Sequence, residues 1–140
     1  MKRKEIIALL GEPDQIVEDE YGRHNDRELI LDWNKQKLRL TFNKKLEERL
    51  VYLQTKNRGL TYNGQKIMDR KIETVKSKVF GNLIHQWDPD YYVSFTTYFN
   101  EEYWLSLHVE FGVVTNVEVG VPFHHREAFD WPIDLTLPLN

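Results

Sequence analysis

The chain of 140 residues has no cysteine. That excludes a disulfide scaffold, a thiolate zinc site, a thiol nucleophile and a lipid-anchor cysteine. Glycine and proline are sparse, at 7 and 5 residues. Neither a Gly-rich phosphate loop, nor a His-Glu-x-x-His pair, nor a nucleophile elbow occurs. Long apolar runs are missing too. The opening Met1-Lys2-Arg3-Lys4-Glu5-Ile6-Ile7-Ala8-Leu9-Leu10 starts basic, but its apolar run of about five residues is short of the roughly 7–15 of an export signal. No stretch approaches the roughly 20 residues that span a bilayer. These absences predict a soluble cytoplasmic protein without membrane contact. A chain of this length buries about two-thirds of its unfolded surface, enough for one core, so residues 1–140 are expected to form a single domain.

Positive charge is missing from the later part of the chain. From Phe80 onward the only Lys or Arg is Arg126, against nine acidic side chains, a balance of −8, whereas the first 79 residues stand at +5. Phosphate recognition requires Lys and Arg, so nucleic acid is not expected as a direct ligand. A basic partner, steered by charge complementarity, fits better.

What is present is alternation. In Leu105-Ser106-Leu107-His108-Val109-Glu110-Phe111 apolar and polar residues exchange at every step, which is the period of a strand with one face buried and one open. The same reading of Tyr91 to Phe99 places Tyr92, Ser94, Thr96 and Tyr98 on one face, and that of Val113 to Val121 adds Asn116 and Glu118. Three neighbouring strands are then expected to present rings, hydroxyls and carboxylates together.

The order of elements suggests one unit used twice. A short helix over Lys4–Leu10, stopped by Gly11 and Pro13, precedes strands at Leu29–Trp33, Lys37–Phe42 and Leu50–Thr55. A second helix, with Asp69 as N-cap and Ile72, Val75 and Val79 on one side, precedes the three strands above. The passes align at an offset of 67, Leu38 with Leu105 and Leu40 with Leu107. The expected fold class is α+β: two helix-plus-three-strand repeats, about 1–58 and 66–121, forming one curved antiparallel sheet with helices packed on one face. Between them Asn63-Gly64 reads as a type I′ turn. Residues 122–140 hold three prolines, Phe129 and Trp131, and are expected as an extended segment laid across the domain or along a sheet edge, or else over the open face, where it would bury the rings and remove the binding surface.

The run Glu5-Ile6-Ile7-Ala8-Leu9-Leu10-Gly11-Glu12-Pro13, the strand ending at Trp33 and Leu38-Arg39-Leu40-Thr41-Phe42 together resemble the β-lactamase inhibitor protein-like repeat. The motif is short; it covers residues 2–55 well and 69–121 by architecture alone. The resemblance implies a concave sheet face that grips a protein target through aromatic and acidic residues. The family's cysteines and export signals are missing here, so by analogy the expectation moves to a cytoplasmic toxin-immunity type of protein, non-catalytic and inhibitory.

The expected partner-binding residues are Tyr92, Tyr98, Trp104, His108, Glu110 and Glu118, because Trp and Tyr anchor interfaces and the acids suit a basic toxin. The alternative is a small-ligand-binding or hydrolytic enzyme on a cone-shaped fold using His108 and Glu110, which stand two apart on one strand face near Asn116 and Glu118. Such a pair is equally an ordinary exposed one. No catalytic residue, metal or cofactor is therefore assigned. His124-His125 point opposite ways in an extended chain, and His24 and His85 have no partner at a ligand spacing. Glu18-Asp19-Glu20 lacks the spacing of a calcium loop. Trp33, in register with Leu29 and Leu31, belongs to the core. The protein is expected to be a monomer or a homodimer.

Overall fold

The computed structural model describes residues 2–21, 27–120 and 135–137. Among them ten strands form: β1 Gln15–Asp19, β2 Glu28–Trp33, β3 Leu38–Asn43, β4 Arg49–Thr55, β5 Thr61–Tyr62, β6 Gln65–Lys66, β7 Asp88–Tyr91, β8 Thr96–Asn100, β9 Leu105–Glu110 and β10 Val113–Gly120. Eight of them make one antiparallel sheet in the order β1-β2-β3-β4-β10-β9-β8-β7. The remaining pair, β5 and β6, is a small hairpin. Its Asn63-Gly64 turn has φ of 49° and 75°, as a type I′ turn demands.

Helix is scarce. The first, α1, spans Arg3–Leu10; the second, α2, is a single turn at Ile72–Thr74 that widens into a π-helical turn over Val75–Val79. The widening has a packing reason. With the Phe80 N–H bonded five residues back to the Val75 carbonyl, at 3.1 Å, the neighbours Val79 and Phe80 are both buried. No described helix is long and apolar enough to cross a membrane.

The expected α+β fold of two helix-plus-three-strand repeats is therefore corrected: the described residues are mostly β, with eight strands in the main sheet and two short helices. Two strands escaped the sequence pattern. β1 is exposed along nearly all its length and carries no alternation, and β7 contains Pro89. Asp69 does not cap the second helix. It adopts φ 62°, and Lys71 occupies the capping position without a side-chain bond.

Strand register fixes which side chains share a face. Leu38 opposes Thr55, Thr55 opposes Val117, and Val117 opposes Leu107, so one face runs without interruption from β3 to β9. That face is the core. One cluster gathers Leu31, Trp33, Leu40, Phe42 and Ile6 of α1; a second gathers Val75, Phe80, Leu105, Leu107 and Val117. Leu137 packs against both, and Thr136 pairs with Thr61. Leu135 packs against the second cluster, and the segment expected to be extended, Phe129 and Trp131 included, otherwise lies outside the described residues. Trp33 is buried, and its indole N–H donates to the Gly11 carbonyl at 3.0 Å, which ties the end of α1 to the sheet.

The sheet is open, with β1 and β7 as its edges. On β1 the side chains of Ile16 and Val17 are exposed. Glu18 accepts hydrogen bonds from Arg27 and, at 3.0 Å, from Lys44. These bonds, Lys44 first, hold its carboxyl below the ordinary carboxylate range.

Two outcomes are expected. Phe42→Ala empties a fully buried site and should cost about 3–5 kcal/mol, read from urea unfolding. Because the Glu18 pKa is lower folded than unfolded, its contribution is complete above the unfolded value and is lost as pH falls through the folded one. The difference in urea midpoint between wild type and Glu18→Gln should accordingly be present at neutral pH and vanish in acid.

Candidate functional site

Opposite the core lies the second sheet face. On β9 and β10 it carries Ser106 opposite Glu118 and His108 opposite Asn116, and Glu110 faces Val113 at the hairpin end. On β8 it carries Thr97 and Phe99, which oppose His108 and Ser106. Asp88 and Asp90 of β7 oppose Phe99 and Thr97. Both helices pack on the core side, so neither covers this face.

Three rings stack across it. The Tyr92 N–H donates to the Phe95 carbonyl at 2.9 Å and closes the two-residue loop Val93-Ser94. Tyr92 stacks on Phe95 with centroids 4.6 Å apart, and Phe95 stacks on His108 at 4.3 Å, with interplanar angles of 20° and 22°. The Tyr92 hydroxyl donates to Asp90 Oδ2 at 2.8 Å. That bond, reinforced by the carboxylate's charge, raises the phenol above its ordinary pKa.

Trp104 anchors the other end. It enters β9 with φ 52°, and its indole meets Phe99 edge to face at 5.1 Å and 89°. The Gly120 N–H donates to the Trp104 carbonyl at 3.0 Å. Glycine is required there: a Cβ on Gly120 would stand 2.3 Å from Trp104 Cδ1 and 3.1 Å from Tyr52 Cδ2. Tyr52 in turn donates its hydroxyl to Glu118 Oε2 at 2.6 Å.

Five of the six expected residues therefore share the face, Tyr92, Trp104, His108, Glu110 and Glu118, and Tyr98 does not. Tyr98 opposes Leu107 and Pro89, packs against the core cluster and lies under Lys76 Nζ, 5.0 Å from its ring centroid. Burial raises its phenol pKa, with Tyr91 and Glu73 adding to the effect. Thr96 is turned the same way. In their place stand Phe95, Phe99, Tyr52 and Gly120, which sequence reasoning missed. Tyr52 carried a usable signal, since it stands between Val51 and Leu53 on β4 and shares the period-two face of Gln54.

The electrostatics separate the two halves of the face. On β2 and β3, Asp32 takes a two-pronged bond from Arg39, at 2.7 and 3.1 Å. Toward β7 the acids receive phenols: Asp90 from Tyr92, Glu118 from Tyr52. Residues 80–120 contain no Lys or Arg at all. A phenol satisfies a carboxylate's hydrogen bonding without cancelling its charge, so this half keeps a negative field.

Among the described residues, one open depression of about 550 Å³ is lined by Asp32, Arg39, Gln54, Lys56 and Asn116, among others, and one of about 500 Å³ lies between the hairpin tips and α2, lined by Ile72, Tyr92, Phe95, Tyr98, Val109 and Phe111, among others. Neither is lined by His108 or Glu110. No group of three His, Cys, Asp or Glu suited to a metal forms among the described residues. His24, His124 and His125 lie outside them.

No family model matches the chain, and no curated protein does. Among solved structures it is similar to an extracellular protein containing a SCP domain from Bacillus anthracis str. Ames, with a TM-score of 0.51 and 13% identity. The match covers 98% of this chain and 48% of that one, so the chain spans about half the length of that protein. At this identity the likeness concerns the fold alone, and it does not bear on the resemblance to the β-lactamase inhibitor protein-like repeat.

Because the Trp104 indole rests on Gly120, Gly120→Ala should displace it. The expected readout is a large shift of the Trp104 indole N–H resonance, with those of Trp33 and Trp87 unchanged.

Proposed function

We propose that this is a non-catalytic protein that binds and blocks a basic protein partner through the face built by β8, β9 and β10. The observation that carries the reading is the row of rings on that face, half-exposed and set among Glu110, Glu118, Asp88 and Asp90, for which no ion pair forms among the described residues. Trp104 is 38% exposed and Tyr92 52% exposed, enough to offer surface while stacking holds each ring in place. Rings fixed in this way lose little conformational freedom on binding, which is why Trp and Tyr act as anchors. Glu110 and Glu118 are the charge partners, with Asp88 and Asp90 at the margin. Phe95 and Phe99 replace Tyr98 among the apolar anchors. A toxin-immunity role is the form of this activity that the acidic balance favours, by analogy with proteins of this build.

The test is co-expression with the product of the adjacent gene, followed by calorimetry on the purified pair. A stoichiometric complex is expected, its affinity falling as salt rises. Trp104→Ala should cost about 2 kcal/mol or more of binding. A loss under about 0.5 kcal/mol, the range of an uninvolved surface position, would remove Trp104 from the anchor role. Substrate turnover abolished by His108→Ala would replace the reading with an enzymatic one.

A further inference from the structure

Where β7 meets β8 and β9 meets β10, two hairpin tips stand side by side. At one, Val93 has a relative exposure of 109%; at the other, Phe111 has 102%. Tyr91 is 73% exposed beside them. Tyr92, Val93, Phe95 and Phe111 border the same 500 Å³ depression, which runs round the end of the sheet to Ile72, Tyr98 and Val109. Singly exposed apolar residues are ordinary, whereas a contiguous cluster of them marks an interaction site.

The Phe111-Gly112 turn makes the case stronger. Its φ values of 51° and 78° nearly repeat the 49° and 75° of Asn63-Gly64, so one chain uses the same turn twice. At Asn63-Gly64 it places the residue that tolerates the left-handed region. At Phe111 it places a bulky aromatic in that strained region and leaves the ring wholly in water. Neither turn geometry nor burial accounts for a phenylalanine at this position, so its use lies outside the monomer.

We infer that the paired tips form a docking knob for a cationic protein segment, with Val93 and Phe111 entering an apolar seat rimmed by Lys or Arg. This rests on the reading of the adjoining face and gives the partner its chemistry. Asp90 and Glu110 flank the knob, and the whole segment 80–120 lacks Lys and Arg. Among the described residues cations reach this end from another element: Arg70 and Lys71 run beside the start of β10, where the Val114 N–H donates to the Arg70 carbonyl and Lys71 pairs with Val113, and Lys76 is held over Tyr98. On the sheet-face side, the carboxylates of Asp90 and Glu110 repel an anionic bilayer and attract a basic polypeptide. The knob is also continuous with the stack, since Tyr92 belongs to both.

The experiment is a titration of the whole protein, followed by backbone NMR, with three synthetic amphipathic peptides of one pattern: Leu–Lys, Leu–Glu and Ser–Lys. The Leu–Lys peptide should shift the amides of residues 92–95 and 110–112 and bind at least tenfold more tightly than the other two. Val93→Ser with Phe111→Ser, which removes the apolar surface and leaves the charge unchanged, should weaken it at least tenfold without lowering the urea midpoint. Phe111→Asn separates binding from folding: it relieves the strained turn, so the midpoint should rise while peptide affinity falls. A lowered midpoint would make Phe111 structural and overturn the inference, as would equal binding of Leu–Glu. Vesicles of phosphatidylcholine with phosphatidylglycerol should not bind, and Phe111-dependent vesicle binding would overturn it in favour of a membrane. Peptide binding lost in Trp104→Ala but kept in the tip variants would overturn the knob and leave the sheet-face reading standing. Insensitivity to both sets of variants would remove both.

Discussion

The β4–β10 ladder is the constraint on which the rest of the molecule depends. It pairs Leu53 with Val119 and Thr55 with Val117, residues more than sixty positions apart, and so joins two four-stranded ladders into one sheet. Each ladder alone would leave a long edge of unpaired backbone groups in the middle of the present sheet. Pairing those edges aligns the two core clusters on one side, where Leu137 spans them, and aligns the polar side chains on the other. The Tyr52–Glu118 bond crosses the same seam on that polar side.

A sheet that buries one face usually turns an unremarkable polar one to water. Here the second face is organised. Its rings cover one another: Tyr92 on Phe95, Phe95 on His108, Phe99 against Trp104. Its charges fall into two regimes. Asp32 spends its charge on Arg39 within the molecule, while Asp90 and Glu118 hold phenols and keep theirs. The difference comes from composition, since no Lys or Arg is available anywhere in residues 80–120.

How much of this the sequence disclosed depended on local pattern. The alternation of Leu105 to Glu110 put Leu105, Leu107 and Val109 inside, and they are buried. Trp33 was assigned to the core and Trp104 to the surface, and both lie there. The register of β8 was the failure. Tyr91 to Phe99 reads as one alternating strand, but the chain reverses at Val93-Ser94, a loop without Gly, Pro, Asn or Asp to announce it. Such a reversal resets the phase, so odd positions of β8 face out and Tyr98 faces in. β1 was invisible for a different reason: an exposed edge strand has no buried face to impose alternation. The long helix expected after Asp69 showed the right apolar spacing. Spacing alone does not disclose that a wider turn seats Val79 and Phe80 together.

The two margins of the sheet are chemically unequal. β7 carries Pro89, which has no backbone N–H to offer a newcomer, whereas β1 has neither proline nor lysine along its length. Filament growth by edge-to-edge addition needs two receptive ends on every subunit, and among the described residues only the β1 end has its full set of backbone donors. Association through β1, joining like edge to like edge, would terminate at a pair, so the same proline that weakens β7 as a strand also removes a donor that edge-to-edge growth would use.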